Sequence, residues 1–116
     1  MPDSIIYRYL GSENKWPLDP EGYLVNQSEW SESVAELMAE EEGLSLTPEH
    51  WEIINVVRAF YRRYEMAPAM RPLVKATKNA LGDEKGRSIY LMQLFPGSPA
   101  KRIARFAGLP KPTNCL

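Results

Sequence analysis

The only cysteine of the 116-residue sequence, Cys115, is the penultimate residue, in the run Gly108-Leu-Pro-Lys-Pro-Thr-Asn-Cys115-Leu116. A thiolate is the nucleophile in sulfur exchange, and nearby cations raise its fraction. Lys111 lies four residues before Cys115, and Lys101, Arg102 and Arg105 precede it on the helix expected to support the run. The α-carboxylate of Leu116 opposes them by raising the thiol pKa. Two prolines keep the run from continuing a helix. Seven residues separate Gly108 from Cys115; at about 3.1 Å each in polyproline-like geometry the thiol reaches roughly 20 Å. That is enough to enter another protein's cleft, which a swinging carrier needs and a fixed nucleophile does not. The bland alternative is an incidental cysteine on a frayed terminus.

Competing chemistry is sparse. His50, the single histidine, stands at a helix start far from Cys115 in sequence. It reads as a local hydrogen-bonding residue rather than a base for a Cys–His pair, which must lie within hydrogen-bond reach. One cysteine and one histidine do not make a zinc set, and one cysteine makes no intramolecular disulfide. The stretch from Gly82 to Gly86 lacks Walker spacing, and the carboxylates show no recognisable pairing. The expectation is therefore chemistry on Cys115 with no metal and no organic cofactor. No apolar run approaches the roughly 18 residues of a membrane helix. The N-terminus has no basic region followed by an apolar core, so no membrane partner and a reducing cytoplasm are expected.

The net charge of −1 conceals an asymmetry. Residues 1–70 carry 5 Lys/Arg against 13 Asp/Glu, net −8, and residues 71–116 carry 9 against 2, net +7. Either the halves attract one another in the folded state, or the basic half offers a face to an acidic partner or RNA.

The pattern predicts a mainly α (α+β) domain over residues 1–107: about five packed helices behind a small N-terminal β-hairpin. A flexible arm, 108–116, carries the thiol. Ile5 to Leu10 and Lys15 to Leu18 read as the two strands, with Pro17 keeping the second short or at an edge. The first helix is expected from Ser28 or Ser31 to about Glu42, its core face on Val34, Leu37 and Met38, closed by Gly43. Glu40 to Glu42 reads as a solvated acidic turn, or else a docking surface. Thr47-Pro48 starts the second helix, which runs to about Tyr64. Its buried face is expected on Trp51, Ile54, Val57, Tyr61 and Tyr64, widened by Ile53, Val56 and Phe60. A third helix follows from Ala69 to Leu81 and a fourth from Gly86 or Arg87 to Leu94, presenting Ile89, Leu91, Met92 and Phe95. The fifth, Pro99 to Ala107, has Ser98 as N-cap, Ile103 and Phe106 inward, and Lys101, Arg102 and Arg105 outward.

Several of these stretches resemble the DsrC/TusE family. They are Glu42-Gly-Leu-Ser-Leu-Thr-Pro-Glu-His-Trp-Glu52, Arg58-Ala-Phe-Tyr61, Tyr90-Leu91 with Leu94-Phe-Pro96, Pro99-Ala-Lys101, and Ala107-Gly-Leu-Pro-Lys-Pro112 with the penultimate Cys115. The resemblance runs from about Glu21 to the end. It implies a helical fold with an N-terminal hairpin and a mobile C-terminal arm. One branch of the family serves dissimilatory sulfite reductase and carries a second cysteine eleven residues before the penultimate one; Ala104 stands there in this sequence. The other branch, TusE-type, keeps the penultimate cysteine alone, and this sequence is similar to it. That likeness implies a sulfurtransferase whose Cys115 accepts persulfide sulfur from a TusBCD-like complex. It would pass the sulfur to an MnmA-like tRNA 2-thiouridylase, with tRNA in the larger complex, for 2-thiolation of the wobble uridine. Asn114 stands where the family often has glycine. Two alternatives remain: a redox partner of a sulfite reductase, and a helix-turn-helix nucleic-acid-binding protein formed by the third and fourth helices.

Overall fold

In the computed structural model, which describes residues 8–112, β1 (Arg8–Leu10) pairs antiparallel with β2 (Trp16–Leu18), Leu10 opposite Trp16 and Arg8 opposite Leu18. The start of the expected first strand, residues 5–7, lies outside the described residues. Pro17 has no N–H to give a ladder, and the pairing is indeed short. Its carbonyl accepts from Val25 N at 3.0 Å, and Leu18 bridges to Leu24. Such a ribbon cannot stand alone; Leu10 and Leu18 are buried in the common core.

Helix α1 (Glu32–Glu41) begins at Ser31, whose hydroxyl accepts from Val34 N at 3.3 Å. Ser28, the other candidate cap, lies instead in a single 3-10 turn, Gln27–Glu29. The end of α1 satisfies its carbonyls as a Schellman motif should. Leu44 N donates to Ala39 O at 2.8 Å and Gly43 N to Glu40 O at 3.0 Å, with Gly43 at φ 75.

Helix α2 (Pro48–Tyr64) is capped by Thr47, which accepts from His50 N, while His50 Nδ1 accepts from Thr47 N at 3.0 Å. With Nδ1 accepting, the ring proton sits on Nε2, which donates to Leu94 O at 2.8 Å. The imidazole also meets the Phe95 ring edge-on, centroids 5.0 Å apart. His50 is thus a buried cap and cross-tie, as expected of a local hydrogen-bonding residue. The His50→Ala variant, which loses half the capping box and strands Leu94 O, should be about 2 kcal/mol less stable by urea unfolding. A change below about 0.5 kcal/mol would show that both bonds are dispensable.

Ile53, Ile54 and Val57 make the buried face of α2. Tyr64, expected on that face, is 52% exposed, because residues 62–64 of the last turn all lie at the surface. Helix α3 (Met70–Leu81) buries Leu73 and Thr77, and Gly82 closes it at φ 100. Helix α4 (Ser88–Leu94) buries Leu91. Phe95 just beyond it is also buried, whereas Ile89 and Met92, expected to join them, are exposed. A two-turn helix resting on α3 and on α5 (Pro99–Phe106) covers only one stripe. On α5, Pro99 follows Ser98 at the N-cap, but the serine side chain makes no capping bond. Ile103, Ala104 and Phe106 are buried. Among the described residues no helix is long and apolar enough to cross a membrane.

Candidate functional site at the root of the C-terminal arm

The last four carbonyls of a helix have no partners within it. At the end of α5 they are answered from nearby and from afar. Leu109 N donates to Ala104 O at 2.9 Å and Gly108 N to Arg105 O at 3.1 Å, a second Schellman closure with Gly108 at φ 74. The next two carbonyls are captured by distant side chains. Trp30 Nε1 donates to Phe106 O at 2.8 Å, and Arg58 Nη1 to Ala107 O at 2.7 Å. The Arg58 guanidinium also lies 3.7 Å from the centroid of the Trp30 ring. Burial holds its pKa below the ordinary arginine value, with the Arg62 charge adding to the effect. Glycine is required at 108 for a second reason: a Cβ there would collide with Cδ1, Cγ and Cβ of Trp30. The indole and the guanidinium therefore form a clamp that fixes where the chain leaves α5.

Beyond the clamp the chain stays on the body. Gly108, Leu109 and Pro112 are buried, and Lys111 Nζ reaches Glu21 Oε2 at 3.0 Å. Cys115, with Thr113, Asn114 and Leu116, lies outside the described residues. The three residues from Pro112 to Cys115 span at most about 10 Å, so a 20 Å reach requires 108–112 to lift from the body. Uncovering Leu109 alone costs about 2 kcal/mol.

The cations expected to support the thiol are distributed unequally. Arg102 and Arg105, expected outside, converge instead on Glu42 across 60 and 63 residues of sequence. Arg102 Nε meets Oε1 at 2.7 Å, Arg105 Nη2 meets Oε2 at 2.9 Å, and all three side chains are mostly buried. Arg102 Nη1 also donates to Pro96 O at 3.0 Å. Glu42 is accordingly no solvated acidic turn. It sits at the C-cap of α1, against the helix dipole, because two guanidiniums from α5 outweigh that term. Lys101 is half-buried in the first turn of α5 and takes part in none of these pairs. Glu42–Arg105, Glu52–Lys85 and Glu21–Lys111 each join the acidic half to the basic half. Mutual attraction thus absorbs part of the charge asymmetry.

Spacing along the sequence does not single out Trp30, Arg58 or Glu42 as site residues. One signal does exist: Arg58 interrupts the apolar side of α2 two turns before the helix ends, further from the C-terminus than the dipole acts. Ala104, where a second cysteine would stand in the sulfite-reductase branch, is 1% exposed in α5. The α3–α4 pair offers Ile89 and Met92 to solvent, whereas a recognition helix presents groups that hydrogen-bond to base edges.

A small helical domain behind an N-terminal hairpin, with its C-terminal arm clamped at the root, is the class the fold defines. The sequence model of the family described as "DsrC like protein" matches residues 11–116. Sulfurtransferase TusE of Shigella dysenteriae is 55% identical over 98 residues, 84% of this chain and 90% of that protein. Sulfurtransferase TusE of Escherichia coli K12 is 54% identical over the same shares. The NMR structure of Allochromatium vinosum DsrC superposes with a TM-score of 0.85 at 49% identity, covering 96% of this chain and all of that one. The chain belongs to the DsrC family.

Proposed function

We propose that this protein is a sulfur-relay sulfurtransferase in which Cys115 carries a persulfide. The observation that supports the reading most is its likeness, over 84% of the chain, to proteins named sulfurtransferase TusE, combined with a single thiol placed three residues beyond the last described residue of the arm. In the loading step the Cys115 thiolate attacks the outer sulfur of a donor Cys–S–SH. The new S–S bond forms as the donor's S–S bond breaks, the donor leaves as a thiolate, and the proton stays on the transferred sulfur. Unloading repeats the step: an acceptor thiolate attacks the outer sulfur and Cys115 leaves as the thiolate. The sulfur keeps its oxidation state throughout, so no external oxidant or reductant enters and no cofactor is needed.

The family resemblance points to a TusBCD-like complex as donor and an MnmA-like tRNA 2-thiouridylase as acceptor, in the cytoplasm. Lys111 is the cation nearest Cys115 in sequence and the best placed to favour its thiolate. Lys101 is a second supporting cation, and Arg102 contributes less because its charge is spent on Glu42. Ala104 leaves the arm no partner thiol and weighs against a disulfide-cycling role beside a sulfite reductase. Intact-mass analysis after exposure to a persulfidated donor protein should show one added sulfur on the wild type and none on Cys115→Ser. Equal labelling of both would overturn the carrier role.

A further inference from the structure

A groove of about 770 Å³ lies between α1 and the segment that leads from it to α2. Leu37, Leu44 and Leu46 line it as apolar floor, each half-buried and packed on the common core from beneath. Its only charged lining is Glu36 and Glu40, both exposed, and no cation lines it. Neither carboxylate has an ion pair or side-chain hydrogen bond among the described residues. The carboxylates that follow are engaged within the chain. Glu41 accepts from Arg8 Nη1 at 2.9 Å and from Gly11 N at 3.3 Å, and Glu42 holds Arg102 and Arg105. Of the run of three, Glu40 alone lines the groove.

Within the chain this arrangement is unfavourable. Glu36 and Glu40 stand one turn apart, where like charges oppose a helix. Glu40 also lies in the last turn of α1, where the dipole disfavours a carboxylate. A metal ion is a poor occupant, because the described residues contain no group of three metal-ligating side chains. A phosphate-bearing partner is repelled. What complements the groove is an apolar side chain on the leucines with cations against the two carboxylates. These are about 5 to 6 Å apart at Cβ, the spacing of cations one turn apart on a facing helix. We propose that the groove docks a partner protein through a basic amphipathic helix, its apolar face on Leu37, Leu44 and Leu46 and its lysines or arginines against Glu36 and Glu40. Glu42 ties this end of α1 to α5 through Arg102 and Arg105, so the partner would rest at the end of α1 that is anchored to the helix bearing the arm. The site does not depend on persulfide chemistry, and Cys115→Ser should bind as the wild type does whether or not Cys115 carries sulfur.

The test is fluorescence anisotropy of a labelled amphipathic peptide of leucine and lysine, about four helical turns long, titrated with the full chain. At about 20 mM salt, Glu36→Gln/Glu40→Gln should weaken binding about five- to tenfold, a difference that shrinks to within about twofold at 300 mM. Glu65→Gln/Glu84→Gln removes the same charge from two exposed positions outside the groove and should stay within about twofold of wild type. A peptide with serine in place of leucine should bind at least about tenfold more weakly. No binding by the wild type, an equal loss in the Glu65/Glu84 variant, or equal binding of the serine peptide would each overturn the site. Sedimentation without peptide should show a monomer. A dimer that Glu36→Gln/Glu40→Gln dissociates would assign the groove to a second copy of the chain and overturn the partner helix.

Discussion

Gly108→Ala is expected to lower the unfolding free energy by about 3 to 4 kcal/mol, against about 1 kcal/mol for Gly43→Ala. The two glycines occupy the same position in the same motif, closing α1 and α5 at φ 75 and φ 74. Each alanine therefore meets the same left-handed backbone penalty, about 1 kcal/mol. A Cβ on Gly43 has no atom within 4 Å, whereas on Gly108 it stands 2.6 Å from Cγ and 2.8 Å from Cβ of Trp30. These are the near atoms of the indole, so no rotation of the ring clears them and Trp30 must move as a whole. Displacement strands Phe106 O and removes the ring on which Arg58 stacks, adding about 2 to 3 kcal/mol of lost hydrogen bonding and packing. Urea unfolding of the three proteins measures the difference directly. Equal destabilisation by the two alanines would mean that the clamp gives way freely, and that Trp30 does not fix the exit of the arm.

The second large effect is expected at Glu42. Glu42→Ala leaves Arg102 and Arg105 mostly buried with no carboxylate, and removing one partner of a fully buried ion pair costs about 3 to 5 kcal/mol. Glu42 is 26% exposed and each arginine 20%, so water reaches the site and the expectation falls to about 2 to 3 kcal/mol. At roughly 4 °C per kcal/mol for a chain of this size, thermal unfolding should drop by about 10 °C. Replacing carboxylate and guanidinium together, as Glu42→Leu/Arg105→Met, should recover much of the loss, because two apolar chains leave fewer charges stranded. A Glu42→Ala protein within about 0.5 kcal/mol of wild type would restore the picture of a solvated acidic turn.

Elements whose signals are local are legible in the sequence. Thr47-Pro48 marks the start of α2 because the threonine hydroxyl and the proline ring act within the first turn. Gly43, Gly82 and Gly108 mark helix ends because only glycine accepts positive φ without strain. Pro17 signals a short strand for the reason that shortens it, the missing N–H. Assignments fail where a local pattern cannot know its neighbours. Tyr64 continues the apolar spacing of α2 but lies in its exposed last turn, and Ile89 and Met92 follow a helical period on a helix too short to bury both. Glu42 reads as one more carboxylate in a run of three, since its two arginines are 60 and 63 residues away.

By itself the sequence determined that the chain folds as helices behind a hairpin, and that a lone thiol, Cys115, sits past a proline-bearing segment with no base or metal ligand nearby in sequence. Cysteine count, proline and glycine placement and helical spacing are properties of the chain alone. Tertiary structure decided what holds that segment. Trp30 and Arg58 come from different elements, and they meet at the end of α5 because its last carbonyls, Phe106 O and Ala107 O, need donors that the helix cannot supply. Which side chains answer that need depends on how α1, α2 and α5 pack, and no spacing along the sequence records it.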